Sequence, residues 1–341
     1  MNIVIQNKAS GFSLVEIMVG MVIGLLGFLV ILQVFSMSES RNRTTIAGDD
    51  AQNGGAIALY GVERDIRVSG FGITASNILG CNMVLPGGWT LASMAPATIN
   101  HASIPAGDAN TDTLLIVYGS GNSTAEGDVI TAQPGAAVYT VQTPTSFNAG
   151  DQVVTQSQAR PAPCDLALNS VVSTDPSAGS VTLESAVAGM SNGTMFNLGQ
   201  VPRILAYAVR NGTLTVCDYL LNNCGLAANT GNDTIWTPVA SNVVSLRAEY
   251  GHDSDGDGTV ETYNQTTPNT QCGWVRAGAI RIALVTRSNQ RAPQATTVAP
   301  AWAGTTAINL TGFADWQDYR YKTFETLVPI RNLAWQAAAG C

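Results

Sequence analysis

The chain has 341 residues, 45% of them apolar and only 12% charged, with 24 acids against 16 bases for a net charge of −8. The apolar share is enough for a real core and excludes wholesale disorder, while the acidic balance excludes a general nucleic-acid binder, whose affinity rests on neutralising phosphates. Two histidines, His101 and His252, are too few for a histidine-rich metal centre, and Gly, Ser, Thr and Asn stand where charge usually does, a composition suited to strands and turns outside the cytoplasm.

The first predicted element is an apolar helix over residues 12–35. At about 1.5 Å per residue it spans roughly 36 Å, enough for a hydrocarbon core of about 30 Å. A secretory signal peptide would have a shorter apolar region and a small-residue cleavage site behind it; here the triplet directly behind the run is Ser36-Met37-Ser38. Glu16 lies inside the segment. A carboxylate at membrane depth costs about 2.5–3.5 kcal/mol on insertion scales, so it is expected to have a function.

Lys8-Ala9-Ser10-Gly11-Phe12-Ser13-Leu14-Val15-Glu16 resembles the class III leader junction of type IV pilins and type II secretion pseudopilins. The resemblance implies that a prepilin peptidase on the cytoplasmic side cuts between Gly11 and Phe12 and N-methylates Phe12. Glu16, fifth in the product, is then the assembly residue that meets the amine of a neighbouring subunit. Charge supports this reading, because an ammonium and a carboxylate each offset the other's cost in lipid, and residues four apart share a helix face. The Gly20-x-x-x-Gly24 spacing, with Gly27 beyond it, reads either as background glycine or as a face for close helix approach.

A polar stretch over residues 38–70 carries Leu59, Val62 and Ile66 at helical spacing, so the helix is expected to continue as an amphipathic stem that Gly70 ends. Asn53-Gly54-Gly55 is expected to weaken it. Strands are expected at 113–118, 128–131, 137–142, 180–184, 203–209, 213–218, 242–250, 276–286 and 319–330, with Asn211-Gly212 as a hairpin turn. Glu63-Arg64-Asp65-Ile66-Arg67, Gly70-Phe71-Gly72, the stretch from Val239 to Gly251, Tyr319-Arg320-Tyr321-Lys322-Thr323 and Arg331-Asn332-Leu333 resemble PilW-type minor pilins; residues 83–197 carry no such resemblance. The expected fold is therefore α+β and pilin-like. Its parts are a cleaved cytoplasmic leader (1–11), a membrane and assembly helix (12–36), an amphipathic stem (37–70) and a β-rich extracytoplasmic head (71–341).

Asp253-Ser254-Asp255-Gly256-Asp257-Gly258-Thr259-Val260-Glu261 has the start of an EF-hand calcium loop, with Asp253, Asp255, Asp257, the Thr259 carbonyl and Glu261 at the ligand positions. Asn264 stands where a bidentate glutamate belongs, so the loop reads as a weak calcium site or a solvated turn. No other cofactor is expected. Six cysteines in an exported head argue for disulfides: Cys217 with Cys224 from their closeness, and Cys81 with Cys164 and Cys272 with Cys341 by elimination. Gly119-Ser120-Gly121 after Leu114-Leu115-Ile116-Val117-Tyr118 imitates a nucleotide loop but lacks the third glycine, with Thr124 in its place, and reads as a turn. His101 and His252 are expected to be solvated turn residues, which leaves no nucleophile–base pair and no enzyme.

The resemblance implies a minor pilin in the initiation or tip complex of a type IV pilus, supporting assembly and hence twitching, adhesion or DNA uptake. Its implied partners are other minor pilins and the major pilin through the N-terminal helix, the prepilin peptidase and the inner-membrane assembly platform, with no direct contact to nucleic acid. The protein would cross the bacterial inner membrane once with its head in the periplasm, then reach the cell surface in the pilus. A minor pseudopilin of type II secretion and a pilus-tip adhesin are the alternatives.

Overall fold

The computed structural model describes residue 11 and residues 13–73, 75–121, 124, 126–292, 296–313 and 315–333, with the side chains of all of these but 40–51. The chain divides into two compact units, Met1–Asp49 and Asp50–Cys341. In the first, the described backbone is helical from Leu14, the start of α1 (Leu14–Val68). No proline interrupts α1, and it runs through Asn53-Gly54-Gly55 without a break. The local cost of two glycines is outweighed by packing: Ala58, Leu59, Val62 and Ile66 are buried just beyond them.

The second unit continues with β1 (Asn82–Val84), β2 (Thr90–Leu91), β3 (Ala97–Ile99), β4 (Leu114–Tyr118), β5 (Asp128–Gly135), β6 (Val138–Val141), β7 (Gln152–Gln156), β8 (Asp165–Asp175), β9 (Ser180–Leu183) and β10 (Thr194–Gly199). There follow β11 (Arg203–Arg210), β12 (Thr213–Asp218), β13 (Thr237–Ser241), β14 (Val243–His252), β15 (Thr262–Asn264), a short helix α2 (Gln271–Val275), β16 (Ala279–Arg287) and β17 (Tyr321–Pro329). Two antiparallel sheets, ordered β13-β12-β11-β4-β3 and β15-β14-β16-β17, share the buried stripe of α1.

The third sheet has the order β2-β1-β8-β7-β10-β5-β6-β9, and β9 also pairs with β8. That last pairing closes β5 to β10 into a six-stranded antiparallel ring. The ring has its own core, with Ile130, Tyr139, Val153, Val181 and Met195 inside. Its outward residues Val154, Leu168 and Phe196 pack with Leu115, Val117, Ile204 and Ala206 of the five-stranded sheet. The ring is an excursion between β4 and β11, which are themselves neighbours, with Tyr118 opposite Arg203. Where the chain enters and leaves, a Cβ on Gly199 would lie 2.3 Å from the Gly121 nitrogen, and Gly199 has φ +78°, so only glycine fits that crossing.

Two expected strands need correction. Arg276 is not the start of a strand: it caps the C-terminus of α2, and β16 begins at Ala279. The Thr270 side chain accepts a bond from Gly273 N (3.0 Å) and Trp274 is buried, so an N-cap and one aromatic anchor fold this stretch as helix. Likewise β17 begins at Tyr321 and not at Tyr319, because a 3₁₀ turn (Trp316–Asp318) precedes it.

Candidate functional site

At the N-terminus, Glu16 N and Ile17 N both bond to the Ser13 carbonyl (3.0 and 3.1 Å) and open α1. From Leu14 to Glu39 the helix is long and apolar enough to cross a membrane, and none of it is buried. A Cβ on Gly20, Gly24 or Gly27 meets no atom within 4 Å, so this glycine face has no partner among the described residues. Glu16 is in the first turn, where a carboxylate also complements the positive end of the helix dipole. Gly11 is exposed. Phe12, the expected methylation site, and the leader residues before Gly11 lie outside the described residues, so the expected cleavage junction is described on one side alone.

The other end of α1 is held by a buried carboxylate. Asp65 stands three residues after Val62 on the apolar stripe and accepts bonds from Tyr207 Oη (2.6 Å), Tyr118 Oη (3.4 Å) and the Arg64 guanidinium (3.1 Å). Burial first, then the Asp65 charge, pushes the Tyr118 hydroxyl up to about 12 and the Tyr207 hydroxyl higher still, so both remain donors at any physiological pH. The helix ends where Asn332 Nδ2 donates to the carbonyls of Val68 (3.2 Å) and Ser69 (2.8 Å), and Gly70, at φ +82°, bonds through its nitrogen to Val117 O. Asp65 and Gly70, at the end of one helix, meet Tyr207 and Asn332, from stretches far away in sequence, at one joint. Sequence reading noted the stretches but missed the role of Asp65; an acid on an apolar helical stripe was the available signal.

The acidic loop brings Asp253, Asp255, Asp257 and Glu261 together, with one oxygen of each lying within 4.8 Å of the others. Backbone amides already hold it: Gly256 N and Gly258 N donate to Asp253 (2.6 and 2.8 Å), Thr259 N to Asp257 (2.7 Å) and Ser254 N to Glu261 (2.6 Å). Partial burial raises the Asp253 carboxyl, but the amides of Gly258, Gly256 and Asp257 with the Arg276 charge outweigh it, and the net shift is downward. Asn264 is engaged elsewhere, its Oδ1 meeting His252 Nε2 (3.2 Å) and Thr266 N (2.8 Å). Of the six expected ligands, then, the four acids converge, while the Asn264 side-chain oxygen is taken up by His252 and Thr266.

Cys81 is bonded to Cys164 and Cys217 to Cys224. The first bond lies next to the parallel pairing of β1 and β8, where Asn82 faces Asp165, and fixes two strands that no short turn could join. Cys272 is disulfide-bonded, while Cys341 lies outside the described residues. His101 corrects the expectation of a solvated turn: it is 5% exposed, its Nε2 meets the Ala92 carbonyl and its Nδ1 accepts from Ser103 N (3.1 Å). Burial lowers its pKa, partly opposed by the Ala92 contact. Gly119-Ser120-Gly121 is a connection toward the ring, bonded through Ser120 N to Leu198 O, and not a phosphate loop.

Comparison with known families matches residues 6–32 to the prokaryotic N-terminal methylation motif and residues 206–332 to the type IV pilus-assembly protein W family. Together the two matches support a PilW-type minor pilin. No curated protein matches it. Among solved structures, a type IV-like pilin, TTHA1219 from Thermus thermophilus, is similar at 15% identity over 55% of this chain and 87% of that one, with a TM-score of 0.23. The assignment rests on the two family matches. Between them they include most of the apolar helix, β12 to β17 and the Asn332 cap, and leave out the ring. As a pilin it interacts with other pilus components, and its methylation motif and apolar helix fit a membrane-anchored protein.

Proposed function

We propose that this minor pilin is a structural, non-enzymatic subunit of the complex that initiates or tips a type IV pilus, supporting assembly and through it twitching, adhesion or DNA uptake. The observation that carries the reading is an unburied apolar helix with one carboxylate, Glu16, in its first turn behind a prepilin leader. A prepilin peptidase removes the leader after Gly11 and methylates Phe12. Glu16 then pairs with the amine of a neighbouring pilin, which sets the axial register while the assembly platform draws the subunit out of the inner membrane. Until then the head resides in the periplasm. Deleting the gene and scoring surface pili against protein secretion tests this: loss of pili with normal secretion supports it, and the reverse assigns the chain to type II secretion as a minor pseudopilin. Glu16→Ala is expected to leave membrane insertion intact and to abolish co-purification with other pilins; undiminished co-purification leaves Glu16 without this role.

The acidic loop is proposed as a weak calcium site. Four converging carboxylates favour a hard cation with oxygen ligands, and the missing bidentate ligand at Asn264 keeps affinity low.

A further inference from the structure

Residues 296–313, between β16 and β17, hold neither helix nor strand. Irregular segments longer than about 12–15 residues are uncommon in compact units and are usually functional. The register of the four-stranded sheet shows what this one covers. Ser245 faces Val285, Arg247 faces Ala283 and Glu249 faces Arg281, and Ala283 in turn faces Glu325 of β17. All of these stand on one face of the sheet, opposite the face on which Leu246, Ala248 and Tyr250 join the cluster around α1.

Three charged side chains on that outer face clasp one short stretch of the segment. Glu249 Oε1 accepts from Thr305 N (2.6 Å), Thr305 Oγ1 (2.7 Å) and Thr306 N (3.1 Å). Arg281 donates to the Ala303 carbonyl (2.7 Å), and Glu325 accepts from Ala303 N (2.9 Å). Further along, Ile308 and Leu310 pack on Val244 and Val285 in a small apolar cluster separate from the one around α1. The segment also bonds to itself, from Trp302 Nε1 to Thr306 O (2.7 Å) and from Phe313 N to Leu310 O (3.0 Å), so it keeps its own shape.

This attachment is built to release. Neither the ladder of β14, β16 and β17 nor the α1 core depends on it. The closed position also leaves Ser245 Oγ, Arg247 Nε and Glu249 Oε2 buried with no hydrogen-bond partner among the described residues, and Arg281 comes no nearer to Glu249 Oε2 than 3.9 Å. These three residues alternate along β14 on the covered face. Buried polar atoms without partners cost free energy that water returns on opening. The Glu249 clasp therefore holds the segment down while the unpaired atoms on the same face favour its release. We propose that residues 296–313 form a strap that opens from the outer face of the four-stranded sheet and recloses while the rest of the β-rich unit stays folded.

Hydrogen–deuterium exchange of the full chain in detergent, read by mass spectrometry, tests this. Peptides covering 303–313 are expected to be protected, yet to exchange about a hundredfold faster than β14 and β16. Glu249→Gln weakens the charge-assisted bonds and is expected to speed exchange in the strap about tenfold, with β14, β16 and the ring unchanged. Thr305→Val removes the hydroxyl donor from an exposed position, where the core is not at risk, and is expected to act in the same direction on the strap alone. Strap peptides as slow as β14 and β16, strap peptides with no protection, variants that speed the whole β-rich unit equally, or strap exchange unchanged in both variants overturn the proposal.

Discussion

Asp65 is the residue on which the joint between α1 and the β-rich unit turns. Its contact with Tyr207, at 2.6 Å and buried, is a short charge-assisted bond, whereas the Tyr118 hydroxyl at 3.4 Å is marginal. Tyr207→Phe is therefore expected to destabilise the protein by about 1.5–3 kcal/mol, and Tyr118→Phe by clearly less. Denaturant unfolding of the two variants checks the ranking, and equal losses contradict it. His101 makes a second residue-scale prediction. Its pKa in the fold is below the unfolded value of about 6.5, so the unfolded chain binds more protons as acid is added. The stability this group contributes is full above pH 6.5 and falls as pH drops through the folded pKa. A second ring proton would also remove the acceptor that Ser103 N uses. Melting temperatures measured from about pH 7.5 down to pH 5.5 are expected to fall, and His101→Asn to flatten that fall; an unchanged slope in the variant counts against the assignment.

At the scale of elements, α1 shows why adjacent glycines are not equivalent. A Cβ on Gly54 meets nothing within 4 Å, while one on Gly55 would lie 2.4 Å from Phe324 Cε2 and 2.7 Å from Thr286 Cγ2. Gly54→Ala is expected to stabilise the fold by up to about 1 kcal/mol through helix propensity, and Gly55→Ala to destabilise it by about 1–3 kcal/mol through overpacking on β16 and β17. Opposite shifts in melting temperature are the readout. The calcium proposal belongs at this scale too, because a cation would pin the link between β14 and β15. Binding to the folded state alone stabilises by about 2.7 kcal/mol at a hundredfold excess over Kd, and by well under 1 kcal/mol near Kd. Asp255→Ala and Asp257→Ala are expected to remove any calcium-dependent rise in melting temperature; identical curves for the wild type in calcium and in chelator leave a plain turn.

In the whole molecule, legibility followed physical simplicity. The apolar run, Glu16 and the Leu59–Val62–Ile66 stripe belong to a single helix with one period, and the Asn211-Gly212 turn is local; each could be read from neighbours in sequence. Of the six ring strands, β5, β6 and β9 were expected from the sequence, whereas β7, β8 and β10 were not. In β7, Val153 points into the core of the ring and Val154 onto the adjoining sheet, so both faces are apolar and the alternation that marks a half-buried strand is lost. His101 was misread because its partners, Ala92 and Ser103, come from backbone that gives no sequence signal. The acidic spacing did foretell a cluster of carboxylates, while the His252 contact that occupies Asn264 depends on β14 pairing with β15. What unites the molecule is the pilin plan of an apolar helix ahead of a β-rich unit. Intact-mass and N-terminal analysis of the protein purified from membranes of a host with its prepilin peptidase tests that plan most directly. The account predicts loss of the first eleven residues and an N-methylated Phe12 as the new terminus, with the leader retained in Gly11→Leu; an uncleaved wild-type chain, or cleavage behind residue 36 as a secretory signal would give, contradicts it.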